Sequence, residues 1–86
     1  MKAVFTSGAE RDLRRLGHSV ASRIVAKIIW LADNWNDTVP QPLSGSHKGF
    51  YKLRVGDWRV IYSIDYKCEQ LIIEVVDHRS KIYKSK

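Results

Sequence analysis

One cysteine, Cys68, in 86 residues excludes an intramolecular disulfide, and the three histidines do not group with it at any zinc-binding spacing. The fold is therefore expected to need neither metal nor oxidation, and a reducing cytoplasm is the expected compartment. No apolar run approaches the roughly 18 residues needed to cross a bilayer. The opening Met1-Lys2-Ala3-Val4-Phe5 gives way at once to polar residues, which predicts neither membrane insertion nor secretion. Prolines number only two and glycines five, nothing repeats, and no segment is of low complexity, so residues 1–86 are expected to form a single domain with one modest core. Negative charge is also scarce: nine Asp and Glu stand against 15 Lys and Arg, a net +6. That balance favours an anionic partner, whether nucleic acid, an acidic protein segment or an anionic surface, without choosing among them.

What is present is ordered. Residues 2–6 form a short β-prone run ending at Thr6-Ser7-Gly8, where Ser7 with Glu10 three residues later reads as a capping box for a first helix. Ala9, Leu13 and Leu16 give that helix an apolar side, and Gly17 is placed to stop it. From Ser19, Val20, Ile24, Ile28, Leu31 and Trp35 recur at spacings of four, four, three and four, which predicts a longer second helix. A parallel row of Ala21, Val25, Ile29 and Ala32 makes its apolar stripe broad. The segment 34–46, with both prolines, predicts a loop. Three β-prone runs follow, Phe50 to Val55, Trp58 to Tyr62 or slightly beyond, and Leu71 to Val76, with Gly56-Asp57 as a tight hairpin turn and 65–70 as a looser one. The expected fold is α+β: an N-terminal strand, two helices on one face of a mainly antiparallel four-stranded sheet, and a short C-terminal tail.

The chemistry gathers on the hairpin. Alternation sends Lys52 and Arg54 to one face and Leu53 and Val55 to the other. With Gly56-Asp57 as the turn, Val55 pairs with Trp58, Arg54 with Arg59 and Lys52 with Ile61. Two arginines placed opposite each other are destabilising unless an anion joins them, so the cationic face reads as a candidate phosphate site. Past the last strand, Asp77-His78-Arg79-Ser80-Lys81-Ile82-Tyr83 adds cations, an imidazole and a phenol.

These residues carry a resemblance. The run Tyr51-Lys52-Leu53-Arg54-Val55-Gly56-Asp57-Trp58-Arg59-Val60-Ile61-Tyr62, followed by His78-Arg79-Ser80-Lys81-Ile82-Tyr83, resembles the signature of RelE-type toxins. Pro42-Leu43-Ser44-Gly45 is similar to the family's loop before the hairpin. The resemblance implies a toxin of a type II toxin-antitoxin system that cuts messenger RNA in the ribosomal decoding site, the 2′-hydroxyl attacking the adjacent phosphate without metal or cofactor. It implies that Lys52 assists the 2′-hydroxyl or stabilises charge, Arg59 holds the phosphorane oxygens, Arg79 stabilises or protonates the leaving oxygen and Tyr83 stacks on or orients a base. Arg54, His78 and Lys81 would bind RNA or assist. An unperturbed lysine is neutral in only about one molecule in 2,500 at pH 7, and arginine is a poor acid, so charge stabilisation is the preferred role for these cations.

The same resemblance implies partners: a cognate antitoxin, the ribosome and messenger RNA, and a higher-order toxin-antitoxin complex that contacts operator DNA through the antitoxin. The sequence departs from some active members at Phe50, where they have lysine, and from one subgroup at Gln41, where it has a catalytic glutamate. Two alternatives stay open: a ParE-like inhibitor of DNA gyrase, which would not need the set Lys52, Arg59, Arg79 and Tyr83, and a non-catalytic nucleic-acid-binding or degenerate toxin module.

Overall fold

The computed structural model describes residues 1–43 and 48–82. Within them the chain runs β1 (Lys2–Phe5), α1 (Ser7–Arg15), α2 (His18–Asp33), a 3-10 turn (Trp35–Asp37), β2 (Gln41–Pro42), β3 (Tyr51–Val55), β4 (Trp58–Asp65), β5 (Gln70–His78) and α3 (Arg79–Ile82). One sheet results, in the order β1-β5-β4-β3-β2, with β1 parallel to β5 and every other pair antiparallel. The fold class is the expected α+β, with two corrections. The sheet has five strands, because Gln41 and Pro42 pair with Lys52 and Tyr51. Proline cannot donate to a ladder, but on an outermost strand it has no further ladder to serve. The C-terminal tail begins as helix, since Arg79–Ile82 complete a turn against the end of the sheet.

Thr6, rather than Ser7, caps α1: its Oγ1 accepts from Ala9 N at 3.1 Å and donates to Glu74 O at 3.4 Å. The two helices meet at Gly17, whose φ of +81° a side chain would strain. Ile24, Ile28 and Leu31 of α2 and Ala9 of α1 pack on Val60, Tyr62, Leu71, Ile73 and Val76, all essentially sealed from water. Full burial of an aliphatic side chain is worth about 1.5–3 kcal/mol. The second row of α2 stays partly outside: Ile29 is half exposed, as is the neighbouring Trp30, over whose ring Lys27 Nζ sits at 4.1 Å. Among the described residues no helix is long and apolar enough to cross a membrane.

A bulge decides which way the end of the sheet faces. Ile61 pairs with Val75 but Tyr62 pairs with Ile73, leaving Glu74 as an extra residue in β5. Leu71 and Ile73 face the helices before it; after it, Val76 and the residue opposite Trp58, His78, do so instead. The bulge is braced by Ser63 Oγ, which donates to Glu74 Oε2 at 2.9 Å, and by Asp12 Oδ2, which accepts from Val76 N at 3.0 Å where β1 has ended. Asp12 thus covers a stretch of strand edge left unpaired.

Tyr62 lies at the centre, stacked on Tyr51 and edge-on to Trp35. Burial, then the neighbouring Tyr51 and Tyr66, push its phenol up to about 12. The folded chain therefore holds this proton more tightly than the unfolded chain, whose tyrosines titrate near 10. Its contribution, on the order of 2 kcal/mol, is intact below pH 10 and is lost as pH rises from about 10 to 12. In thermal melts across that range, Tyr62→Phe is expected to lose stability less steeply than wild type.

Candidate anion-binding site

Because Val60 and Tyr62 point into the core under α1 and α2, alternation turns Arg59 and Ile61 to the opposite face of the sheet. Register then defines two rows across that face. One is Gln41, Lys52, Ile61 and Val75, and the other is Arg54, Arg59 and Asp77. The hairpin pairs are those the sequence predicts, with the turn closed by Gly56 at φ +59°. Arg54 and Arg59 do stand opposite each other, and the register sets Asp77 on the other side of Arg59.

Arg59 is the unusual member. It is 7% exposed, and its Nη1 donates to Gly56 O and to Trp58 O, each at 2.9 Å. Burial of a guanidinium is costly without such partners. Among the described residues Nε and Nη2 make no hydrogen bond, and none of those residues has a side-chain nitrogen fully shut from solvent without a partner, so this edge reaches solvent. A planar pair of N–H donors at a sheet face, flanked by Arg54 and Lys52, is the geometry that binds phosphate in two places at once.

Arg79 joins this group at the hairpin tip. Its backbone N donates to Asp57 O at 2.9 Å, and its Nε lies 3.9 Å from Asp57 Oδ1. Its side chain is largely exposed. His78 and Lys81 stand elsewhere. The bulge turns His78 to the helix side, where its ring meets Trp58 edge-on at 5.5 Å. Its Nδ1 lies 3.0 Å from Ser80 Oγ and accepts from Ser80 N at 3.3 Å. With Lys81, Asp12, Arg15, Leu16 and Trp58 it lines a shallow cleft of about 200 Å³. Tyr83, and Ser44 and Gly45 of the loop motif, lie outside the described residues.

Two residues of the hairpin tip escape a reading of the sequence. Asp57 looks like a turn former alone, yet its carboxylate and carbonyl both face Arg79. Arg23, on the polar side of α2, reaches the tip so closely that a Cβ at Gly56 would lie 3.4 Å from its Nη2. Cys68, in the β4–β5 turn, stands at the far end of β4 from this group. Its thiol is pushed up by the hydrogen bond to Asp65 and by that carboxylate's charge, which disfavours the nucleophilic thiolate.

Comparison with known proteins converges. Residues 3–83 match the family model described as the ParE toxin of type II toxin-antitoxin systems. Toxin RelG of Mycobacterium tuberculosis is 33% identical over 84 residues, covering 93% of this chain and 92% of its own. Among solved structures, the toxin-antitoxin complex RelBE2 of M. tuberculosis superposes with a TM-score of 0.80 at 30% identity, over 91% of this chain and 96% of that one. The isolated RelE toxin of E. coli shares the fold, with a TM-score of 0.73 at 17% identity over 96% and 90% of the two chains.

Proposed function

The chain belongs to the RelE/ParE superfamily of toxins from type II toxin-antitoxin systems, and from that membership we propose that it is a ribosome-dependent endoribonuclease that halts translation by cutting messenger RNA. The observation that carries this reading is the nearly buried Arg59, whose Nε–Nη2 edge lies beside Arg54 and Lys52 on the sheet face away from α1 and α2. In this reading the messenger's 2′-hydroxyl attacks the adjacent phosphorus. The bond to the 5′-oxygen breaks, leaving a 2′,3′-cyclic phosphate and a free 5′-hydroxyl. Arg59 holds the non-bridging oxygens of the phosphorane through Nε and Nη2, where negative charge grows. Lys52, one row away, stabilises the attacking oxygen, Arg79 the departing one, and Tyr83 stacks on a base. Arg54 adds charge beside Arg59. His78 and Lys81 lie on the helix side, so their part is to hold flanking RNA.

With His78 turned to the helix side, this face would work through the charge of its cations and through the ribosome, which would orient the messenger for in-line attack. RelBE2 of M. tuberculosis was solved as a toxin-antitoxin complex, and an antitoxin is the expected partner here, in the cytoplasm. The half-exposed Ile29 and Trp30 of α2 and the cationic sheet face suit a partner that is apolar on one part and acidic on another. Such a complex would meet operator DNA through the antitoxin.

The match to the ParE model keeps gyrase inhibition as the second reading. Purified protein added in parallel to a cell-free translation reaction and to a gyrase supercoiling reaction decides between them. The nuclease reading expects translation to fall while supercoiling proceeds. The opposite pattern assigns the gyrase activity, and no effect on either leaves a non-catalytic module.

A further inference from the structure

Three consecutive carbonyls of the hairpin turn accept from the two arginines of the site: Gly56 O and Trp58 O from Arg59 Nη1, and Asp57 O between them from the backbone N of Arg79. The turn therefore fixes both arginines through one short piece of chain. Backbone bonds alone set where Arg79 begins and leave its side chain to rotate. The group that faces that side chain is the Asp57 carboxylate, 3.9 Å from Arg79 Nε. Both partners are well exposed, and a pair of this kind adds little to stability. Its consequence is orientation. Arg54, Arg59 and Arg79 repel one another, and an unopposed Arg79 would swing away from the other two.

We infer that Asp57 is a positioning residue, which holds the Arg79 guanidinium beside Arg59 so that both address one phosphate. This rests on the proposed cleavage, since it assigns a purpose to Arg79 in that reaction. It also has a signature that loss of folding lacks. Removing the carboxylate takes negative charge away from an RNA site, so ground-state binding should hold or tighten while the rate falls.

The test uses ribosomes programmed with a short messenger. Asp57→Asn is expected to slow cleavage at saturating toxin about tenfold. Its affinity for ribosomes whose messenger is 2′-O-methylated at the cut position should be unchanged or tighter. Asp57→Glu should recover much of the rate, and Asp57→Asn should add nothing in an Arg79→Ala background. Full speed in Asp57→Asn, or losses that add in the double variant, would overturn the inference. A readout independent of cleavage is the Arg79 Nε–Hε resonance in ¹⁵N-labelled protein, which should move on Asp57→Asn. If wild type cuts nothing, the proposed activity fails while this resonance still reports on Asp57, and an unmoved resonance overturns the positioning itself.

Discussion

Arg59→Ala is expected to lower messenger cleavage by at least about a hundredfold, the usual cost of removing one donor from a site where charge develops. The side chain has two tasks that the substitution removes together. Nη1 ties the turn carbonyls of Gly56 and Trp58, and the Nε–Nη2 edge reaches solvent. Losing the first should loosen the hairpin by about 1–3 kcal/mol, since charge-assisted bonds from a nearly buried guanidinium disappear. Arg59→Lys separates the two tasks. A lysine keeps the charge but is a point donor without the planar fork, so it cannot hold the turn and grip two phosphate oxygens together. Cleavage rates of both variants, measured beside their melting temperatures, give the comparison. Arg59→Lys should melt close to wild type and still cut at least about tenfold more slowly.

Ile28→Ala should cost about 3 kcal/mol, because a fully buried β-branched side chain leaves a cavity that its neighbours fill only in part. Ile28 is completely buried in the cluster where α2 meets the sheet. A chain of this length has a total stability on the order of 4–13 kcal/mol, so the loss is a large share of it. The melting temperature is expected to fall by about 12–24 °C. Ile29→Ala, one residue on at a half-exposed position, should shift it by only a few degrees, about what a surface substitution gives. Calorimetry on the two variants compares the inner and outer rows of α2 directly.

Legibility followed the strength of each local signal. The hairpin register could be read residue by residue, because a two-residue Gly-Asp turn leaves a single pairing and Gly56 supplies the positive φ. The inner row of α2 was legible from its spacing, and so was the placement of Lys52 and Arg54 on the face away from Leu53. Strand β2 was hidden because Pro42 reads as a breaker and two residues carry no periodicity. Thr6 and Ser7 are both good caps, so sequence alone could not place the helix start to the residue. The orientation of His78 was the costliest gap. Plain alternation from Leu71 puts Val75 and Asp77 with the core, but the extra residue at Glu74 shifts the parity and brings Val76 and His78 there instead. A bulge of this kind leaves no mark in composition; it is held by Ser63 on the neighbouring strand and by Thr6 and Asp12, which lie far away in the chain.

Transesterification of messenger on the ribosome by the cationic sheet face would leave its mark on the RNA ends. The most direct measurement maps the ends produced when purified protein meets translating ribosomes, using primer extension and the chemistry of each new terminus. The proposed cleavage makes cuts inside codons that appear only with ribosomes, bear 5′-hydroxyl and 2′,3′-cyclic phosphate ends and are absent with Arg59→Ala. Intact messenger at toxin concentrations matching the ribosomes would contradict it, as would cuts that carry 5′-phosphates or persist without Arg59.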